Sequence, residues 1–130
     1  MKHTPEQKLA IETVGKHISV SAGAGSGKTR VLVDRIIHLL RHEESDLSRI
    51  VAITFTRKAA SEMKERLRTA CYAIAPQDDS AEMDRWRRIL HQIDTARITT
   101  IDTFCSGLLR EHALWLQENP DYAVLSDADA

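Results

Sequence analysis

The sequence has few of the features that mark secreted, membrane-spanning or metal-stapled proteins. Its two cysteines, Cys71 and Cys105, lie far apart without a CxxC pair, so neither a disulfide framework nor a zinc site is indicated. No apolar run approaches the roughly 20 residues of a membrane span, and the first residues lack the apolar core of a signal peptide. The expected compartment is therefore the cytoplasm, and no membrane partner is expected.

Net charge is also nearly absent. The 18 Lys and Arg residues against 19 Asp and Glu leave a formal charge of −1, so no overall basic field attracts nucleic acid. Any DNA contact must therefore come from a local surface. The length of 130 residues is enough for one domain with a real core, and 42% hydrophobic with 28% charged residues is an ordinary globular composition. No internal repeat, low-complexity tract or linker divides the chain.

A glycine-rich stretch is the most informative part of the sequence. Residues 20–29 read Val-Ser-Ala-Gly-Ala-Gly-Ser-Gly-Lys-Thr, after a β-branched run and before an apolar-periodic segment. Strand, glycine loop and helix form the context of a phosphate-binding loop, whose N–H groups make a nest for anions at a helix N-terminus. Lys28 is expected to reach the β- and γ-phosphates, and the Thr29 hydroxyl to ligand Mg²⁺. The expected nucleotide contacts of the loop are Ala22, Gly23, Ala24, Gly25, Ser26, Gly27, Lys28 and Thr29.

Two details qualify this interpretation of the loop. The generic pattern has glycine where this chain has Ala22, and the alternative is a Gly/Ser-rich turn with a solvated Lys28. ATP is the expected nucleotide, because the guanine-reading sequence Asn-Lys-x-Asp does not occur.

The coarse pattern of elements favours the α/β class. Thr4, Pro5 and Gln7 predict a capped helix start, and Gly15 its end. The run at 50–54 is typical of a strand buried on both faces, and Asp102 is expected to cap a helix. Apolar strands joined by helices imply parallel βαβ units. The predicted strands are 18–20, 50–54 and 97–101, and the other predicted helices are the segment after Lys28, 57–73, 81–93 and a last one from 102.

Three ordered motifs resemble the superfamily 1 DNA helicases of the UvrD/Rep type. The loop is followed by residues 53–67, Ile-Thr-Phe-Thr-Arg-Lys-Ala-Ala-Ser-Glu-Met-Lys-Glu-Arg-Leu, and both are similar to that family's first motifs, where alanine is tolerated at the position of Ala22. Residues 4–7 resemble its Q motif, which implies that Gln7 reads the adenine edge. Arg30 matches a residue that lies against the base in relatives. Residues 98–113 resemble the next motif, with Cys105 in place of the usual histidine, as in the AddA/RecB branch of helicase–nuclease subunits.

The resemblance implies a RecA-like P-loop NTPase fold, a parallel sheet with helices on both faces, present here as an incomplete domain. Residues 1–118 would be the N-terminal part of the ATP-binding domain 1A. Residues 119–130 would begin an inserted helical subdomain or form a tail. The implied cofactors are ATP and Mg²⁺, and the implied partners are single-stranded DNA, the remainder of the helicase chain and an AddB-like protein. The implied DNA contacts are Thr54, Phe55, Thr56, Lys58, Thr103 and Phe104.

Several of these residues also have plain structural interpretations. Gln7 completes a capping box whether or not it meets adenine. Phe55 and Phe104 sit beside predicted strands, where burial in the core is the usual fate. Asp102 could end a Walker B strand, but two threonines interrupt the run and no Glu follows, which favours a helix cap. An Asp-Glu box, an arginine finger and a second RecA-like domain are then missing.

The sequence therefore predicts the ATP-binding N-terminal segment of an AddA-like, ATP-dependent DNA helicase of double-strand break repair, which alone would bind nucleotide at best. One alternative is a small stand-alone P-loop kinase. It would need an acceptor pocket, an arginine-rich lid and a metal-holding acid, none of which is evident in the sequence. The other alternative is a truncated, non-catalytic protein.

Overall fold

The computed structural model describes residues 3–23, 25–42, 45–76, 78 and 80–122, and these form a mixed α/β fold. A short 3₁₀ turn, Leu47–Arg49, precedes the first strand. The remaining elements are α1 (Pro5–Glu12), α2 (Lys28–His42), β1 (Val51–Thr54), α3 (Arg57–Ile74), α4 (Ala81–Gln92), β2 (Arg97–Thr100), α5 (Ile101–Glu111) and α6 (Ala113–Leu116).

The described sheet consists of two parallel strands. β1 pairs with β2 in a register that runs from Val51 opposite Arg97 to Thr54 opposite Thr100. Helices α3 and α4 form the connection between the strands, and α3 packs against both of them. The parallel pairing confirms the predicted βαβ connection, and the carboxyl ends of both strands meet at one edge of the sheet.

One apolar cluster joins the helices to the sheet. Its most buried members include Leu40 of α2, Leu67 of α3, Trp86 of α4 and Ile98 of β2. Cys71 also lies in this cluster, and burial raises the pKa of its thiol to about 11. The cysteine therefore acts as a small apolar side chain of the core.

The first strand predicted from the sequence is not part of the described sheet. Residues 18–20 are not assigned to a strand, and Ile18 and Val20 remain 39% and 57% exposed. The β-branched composition favours a strand, but a strand also requires a neighbour to accept its N–H groups. No strand of the described residues pairs with this segment, so the prediction is wrong for this structure.

The prediction that the run at 50–54 is buried on both faces is also wrong. Ala52 and its register partner Ile98 are buried, whereas Val51 and Ile53 on the opposite face of β1 are exposed. Ala52 and Ile98 share the core cluster with residues of α3, so helix packing covers their face of the strand pair.

Side-chain caps explain most of the helix starts. Thr4, Thr56, Ser80 and Thr100 each accept a hydrogen bond from an N–H three residues onward, and Thr4 with Gln7 completes the predicted capping box. Asp102 does not have the capping role predicted for it. Because α5 begins at Ile101, directly after β2, Thr100 is the cap and Asp102 lies within the first turn.

None of the helices in the described ranges is both long enough and apolar enough to cross a bilayer.

Candidate functional site

The glycine-rich loop leads from the extended segment at 18–20 into the start of α2. The Ser26 N–H donates to the Gly23 carbonyl over 3.4 Å, which closes a turn, and the Gly27 carbonyl accepts the first helical bond from the Val31 N–H at 3.0 Å. Gly25 and Gly27 have φ angles of 77° and 81°, a left-handed conformation that glycine adopts without strain. Ala24 lies outside the described residues. The path of the chain is thus one that the glycines make possible.

Lys28 is bound to the loop that precedes it. Its Nζ donates to the carbonyl oxygens of Ala22 and Gly23, both at 2.8 Å, and the residue is exposed. The first turn of α2 carries no acidic side chain, so the positive end of the helix dipole is not neutralised within that turn. A phosphate oxygen would be a stronger acceptor for this ammonium than either neutral carbonyl.

Gln7 connects α1 to the loop. Its Oε1 accepts from the Thr4 N–H at 3.0 Å, and its Nε2 donates to the Ser26 carbonyl at 3.2 Å. A side-chain amide has two donor hydrogens and two acceptor lone pairs. These two bonds leave one of each, so the capping role and a role in reading a base are compatible.

A cavity of about 720 Å³ lies between α1, the segment at 18–22 and the first turns of α2. This volume is within the range typical of small-molecule sites, which is roughly 300–1,000 Å³. Its wall is mostly apolar, with polar groups supplied by Gln7, Ser26 and Lys28 among others. The apolar side chains that line it are Ala10, Ile18, Val20, Val31 and Leu32.

Thr29 and Arg30 stand apart from this cavity. Thr29 is exposed in the first turn of α2, and the described residues contain no cluster of three metal-ligating side chains. Mg²⁺ in nucleotide sites commonly has only one or two protein ligands. The Arg30 Nε lies 3.6 Å from the Asp34 carboxylate and lines a separate depression against α3. The structure therefore does not bring Arg30 together with Gln7, and its contact with a base stays a prediction.

The two segments expected to contact DNA lie side by side. Thr54 ends β1 opposite Thr100 of β2, and α5 begins directly after β2 with Thr103 in its first turn. The Thr54 hydroxyl donates to the Thr56 carbonyl at 3.0 Å. The proximity predicted from parallel-sheet topology is thereby confirmed.

The aromatic side chains of these segments differ in burial. Phe55 is fully exposed, so its interpretation as a core residue is wrong, whereas Phe104 is half-buried. Lys58 is exposed in the first turn of α3. The Thr103 hydroxyl lies 3.0 Å from that of Thr100. This edge of the sheet therefore presents an aromatic face, a cation and a helix N-terminus.

Sequence reasoning missed Arg35, whose guanidinium contacts the end of α1. Its Nη1 donates to the carbonyl oxygens of Ala10 at 2.7 Å and Thr13 at 2.8 Å. The available signal was a charged residue seven positions after Lys28, on the same face of a helix as the lysine and beside apolar positions.

Comparison with known proteins gives one consistent result. The family described as UvrD/REP helicase N-terminal domain matches residues 3–130. Relatives named as ATP-dependent helicase/nuclease subunits of the AddA type are 43% identical over 129 residues in Lactobacillus delbrueckii subsp. bulgaricus and 43% identical over 130 residues in Thermoanaerobacter pseudethanolicus. The corresponding protein of Ligilactobacillus salivarius is 37% identical over 127 residues. These matches cover 97–98% of this chain but only 10% of each relative.

Proposed function

The chain belongs to the UvrD/REP helicase N-terminal domain family, and we propose that it is the ATP-binding N-terminal segment of an AddA-type, ATP-dependent DNA helicase/nuclease. The observation that carries the proposal is the contact of Gln7 with Ser26 beside Lys28. It joins a capped helix start, a phosphate loop and a cavity of suitable size in one place. A Gly/Ser-rich turn with a solvated lysine would not require this arrangement.

We further propose that residues 1–118 form part of a RecA-like domain 1A, and that 119–130 lead into an inserted helical subdomain. The parallel pair β1–β2 with α3 in the connection is compatible with this fold. In the proposed domain the segment at 18–20 joins the sheet beside strands from the remainder of the protein. The exposure of Ile18 and Val20 supports that assignment. Residues 123–130 lie outside the described residues.

The loop residues fit Mg-ATP. The positive φ angles of Gly25 and Gly27 allow the backbone to curl around a phosphate, and Lys28 already lies against two oxygen acceptors. In the proposal Lys28 binds and orients the β- and γ-phosphates, while Thr29 contributes a hydroxyl to Mg²⁺. Bound Mg²⁺ would neutralise charge that develops on the phosphates during hydrolysis. Gln7 and Arg30 are the proposed contacts of the base.

We propose that single-stranded DNA runs along the edge formed by the ends of β1 and β2. Thr54, Thr56, Thr103 and Lys58 would contact its phosphates, and the exposed ring of Phe55 would stack on a base, with Phe104 beside it. The proposed parent acts in break repair with an AddB-like partner protein. Both cysteines are free thiols, which is compatible with a reducing, cytoplasmic compartment.

An ATPase assay on the full-length protein tests the helicase function. We expect hydrolysis that single-stranded DNA stimulates, because the DNA edge is formed by the same small sheet that α3 packs against. The kinase alternative predicts instead that hydrolysis is indifferent to DNA and that phosphate is transferred to a small acceptor. The non-catalytic alternative predicts no hydrolysis at all. Either of these results would contradict the proposal.

A further inference from the structure

Arg35 of α2 closes the C-terminal end of α1. Its Nη1 donates to the carbonyl oxygens of Ala10 at 2.7 Å, Thr13 at 2.8 Å and, more weakly, Ile11 at 3.4 Å. The last carbonyls of a helix have no partner within it, and the negative end of the helix dipole attracts a cation. The last turn of α1 contains no basic residue of its own. A side chain from the phosphate-loop helix therefore supplies this charge.

Helix α1 depends on such contacts for its position. It is only eight residues long, and Ala10 and Ile11 are its buried residues. Helices this short are marginal in water without tertiary packing. Gln7 attaches the first turn of α1 to the loop through Ser26, and Arg35 attaches the last turn to α2. The helix is thus fixed at both ends to the unit that carries Lys28.

We propose that Arg35 is a positioning residue for base recognition, acting through Gln7. This inference rests on the proposed nucleotide site. A fixed side-chain amide can donate to N7 and accept from N6–H₂ of adenine, whereas guanine presents an acceptor at both places. Gln7 has one N–H and one lone pair left for such a pair. Arg35 holds α1 so that these groups face the cavity that both residues line.

The proposal predicts a loss that is specific to adenine. When α1 is no longer fixed, Gln7 stops discriminating between the bases, but the loop that binds the phosphates keeps its own contacts. The KM for ATP should rise, the KM for GTP should stay the same, and kcat should change little. A residue that merely stabilises the fold would lower the active fraction equally for both nucleotides.

The experiment measures KM and kcat for ATP and GTP with the full-length protein. Arg35→Met removes the guanidinium but keeps the aliphatic length, and Arg41→Met is the matched control at an exposed position of the same helix. We expect Arg35→Met to raise the KM for ATP roughly tenfold, the effect of about one lost hydrogen bond or two. The KM for GTP should stay within about twofold. Arg35→Lys should recover part of the ATP preference, since an ammonium can still donate to these carbonyls.

A double variant tests whether Arg35 acts through Gln7. If it does, Gln7→Ala with Arg35→Met should lose no more ATP preference than Gln7→Ala alone, because non-additivity marks residues that share one effect. Losses that multiply would overturn the proposal, as would equal falls for ATP and GTP or a wild-type protein without ATP preference. If Arg35→Met does not fold, Arg35→Lys is measured against the same criteria.

A Lys28→Ala variant in the same series separates this inference from the proposed function. Hydrolysis that does not depend on Lys28 contradicts the nucleotide site itself. Hydrolysis that depends on Lys28, but in which Arg35 changes ATP and GTP alike, contradicts only the role of Arg35.

Discussion

Phe55 shows how far the environment of one residue can depart from what its type predicts. Phenylalanine is usually buried, yet this ring is fully exposed at the end of β1. The residues on either side are held in place, since the Thr54 hydroxyl bonds to the Thr56 carbonyl and the Thr56 hydroxyl caps α3. The ring therefore projects from an ordered piece of backbone, where stacking requires little further ordering.

Replacing Phe55 with alanine in the full-length protein should weaken binding of single-stranded DNA by roughly 1–3 kcal/mol, the range measured for stacking of one base on an aromatic ring. Nucleotide affinity and thermal stability should stay normal, because the ring is fully exposed. Tyr72→Ala is the control, since Tyr72 is an exposed aromatic residue of α3. Unchanged DNA affinity together with a loss of stability would contradict the proposed role.

The two cysteines should differ in reactivity. Burial raises the pKa of Cys71 from the ordinary 9.0 to about 11, whereas Cys105 is exposed. In the folded protein an alkylating reagent at pH 8 should modify Cys105 rapidly and Cys71 only after unfolding. The shift also predicts that stability contributed by the neutral thiol persists below pH 9 and is lost as the pH rises from 9 towards 11. Equal labelling rates under native conditions would contradict the burial.

At the scale of elements, local signals predicted the helices better than the strands. The capping residues Thr4 and Ser80 act within one turn, so the starts of α1 and α4 could be predicted from sequence. The strand expected at 18–20 could not, because pairing depends on residues distant in the chain. The cap of α5 depended on where β2 ends, since Thr100 and Asp102 both suit an N-cap and only the strand boundary selects between them.

The correction at α5 predicts different effects for two substitutions. Thr100→Ala should destabilise the fold by about 1 kcal/mol or somewhat more, since its hydroxyl accepts from the Thr103 N–H and the residue is buried. Asp102→Ala should have a smaller effect, limited to an exposed charge near the helix start. Chemical denaturation of the full-length protein measures both, with Thr100→Ser as the control that keeps the hydroxyl. A larger effect at Asp102 would contradict the observed cap.

The site was predictable to the same extent as its contacts are local. The loop motif specified Lys28, and the spacing from Thr4 to Gln7 specified the capping box. Arg35 contacts Ala10 across 25 positions of sequence without any motif, so no local pattern could have identified it. Parallel-sheet topology is a non-local rule, and it did predict that the ends of β1 and β2 lie together.

At the scale of the whole molecule, the described surface carries several large apolar side chains. Trp115 and Leu114 are 89% and 88% exposed, so a core role for Trp115 is wrong within the described residues. One face of β1 is exposed as well. Apolar patches of this kind mark contacts with other protein surfaces. The chain spans only a tenth of the relatives it matches, which is compatible with further protein covering this surface.

The isolated 130-residue chain should therefore be marginally stable. We expect a broad, low-temperature melting transition and self-association in size-exclusion chromatography, because exposed apolar faces and an open sheet edge favour association. The full-length protein should be monodisperse. A sharp, high-temperature transition from a monomeric 130-residue chain would show that these residues form a complete domain, and would favour the stand-alone alternative.

The nucleotide site is tested most directly by the affinity of the full-length protein for ATP, measured by calorimetric titration, with and without Lys28. The ammonium lies against two loop carbonyls and should exchange them for phosphate oxygens. We predict that Lys28→Ala lowers the affinity about ten- to a hundredfold, the effect of losing hydrogen bonds to a charged group. Lys16→Ala, an exposed lysine upstream of the loop, should bind ATP normally. A folded Lys28→Ala protein that binds ATP as tightly as the wild type would contradict the proposed nucleotide site.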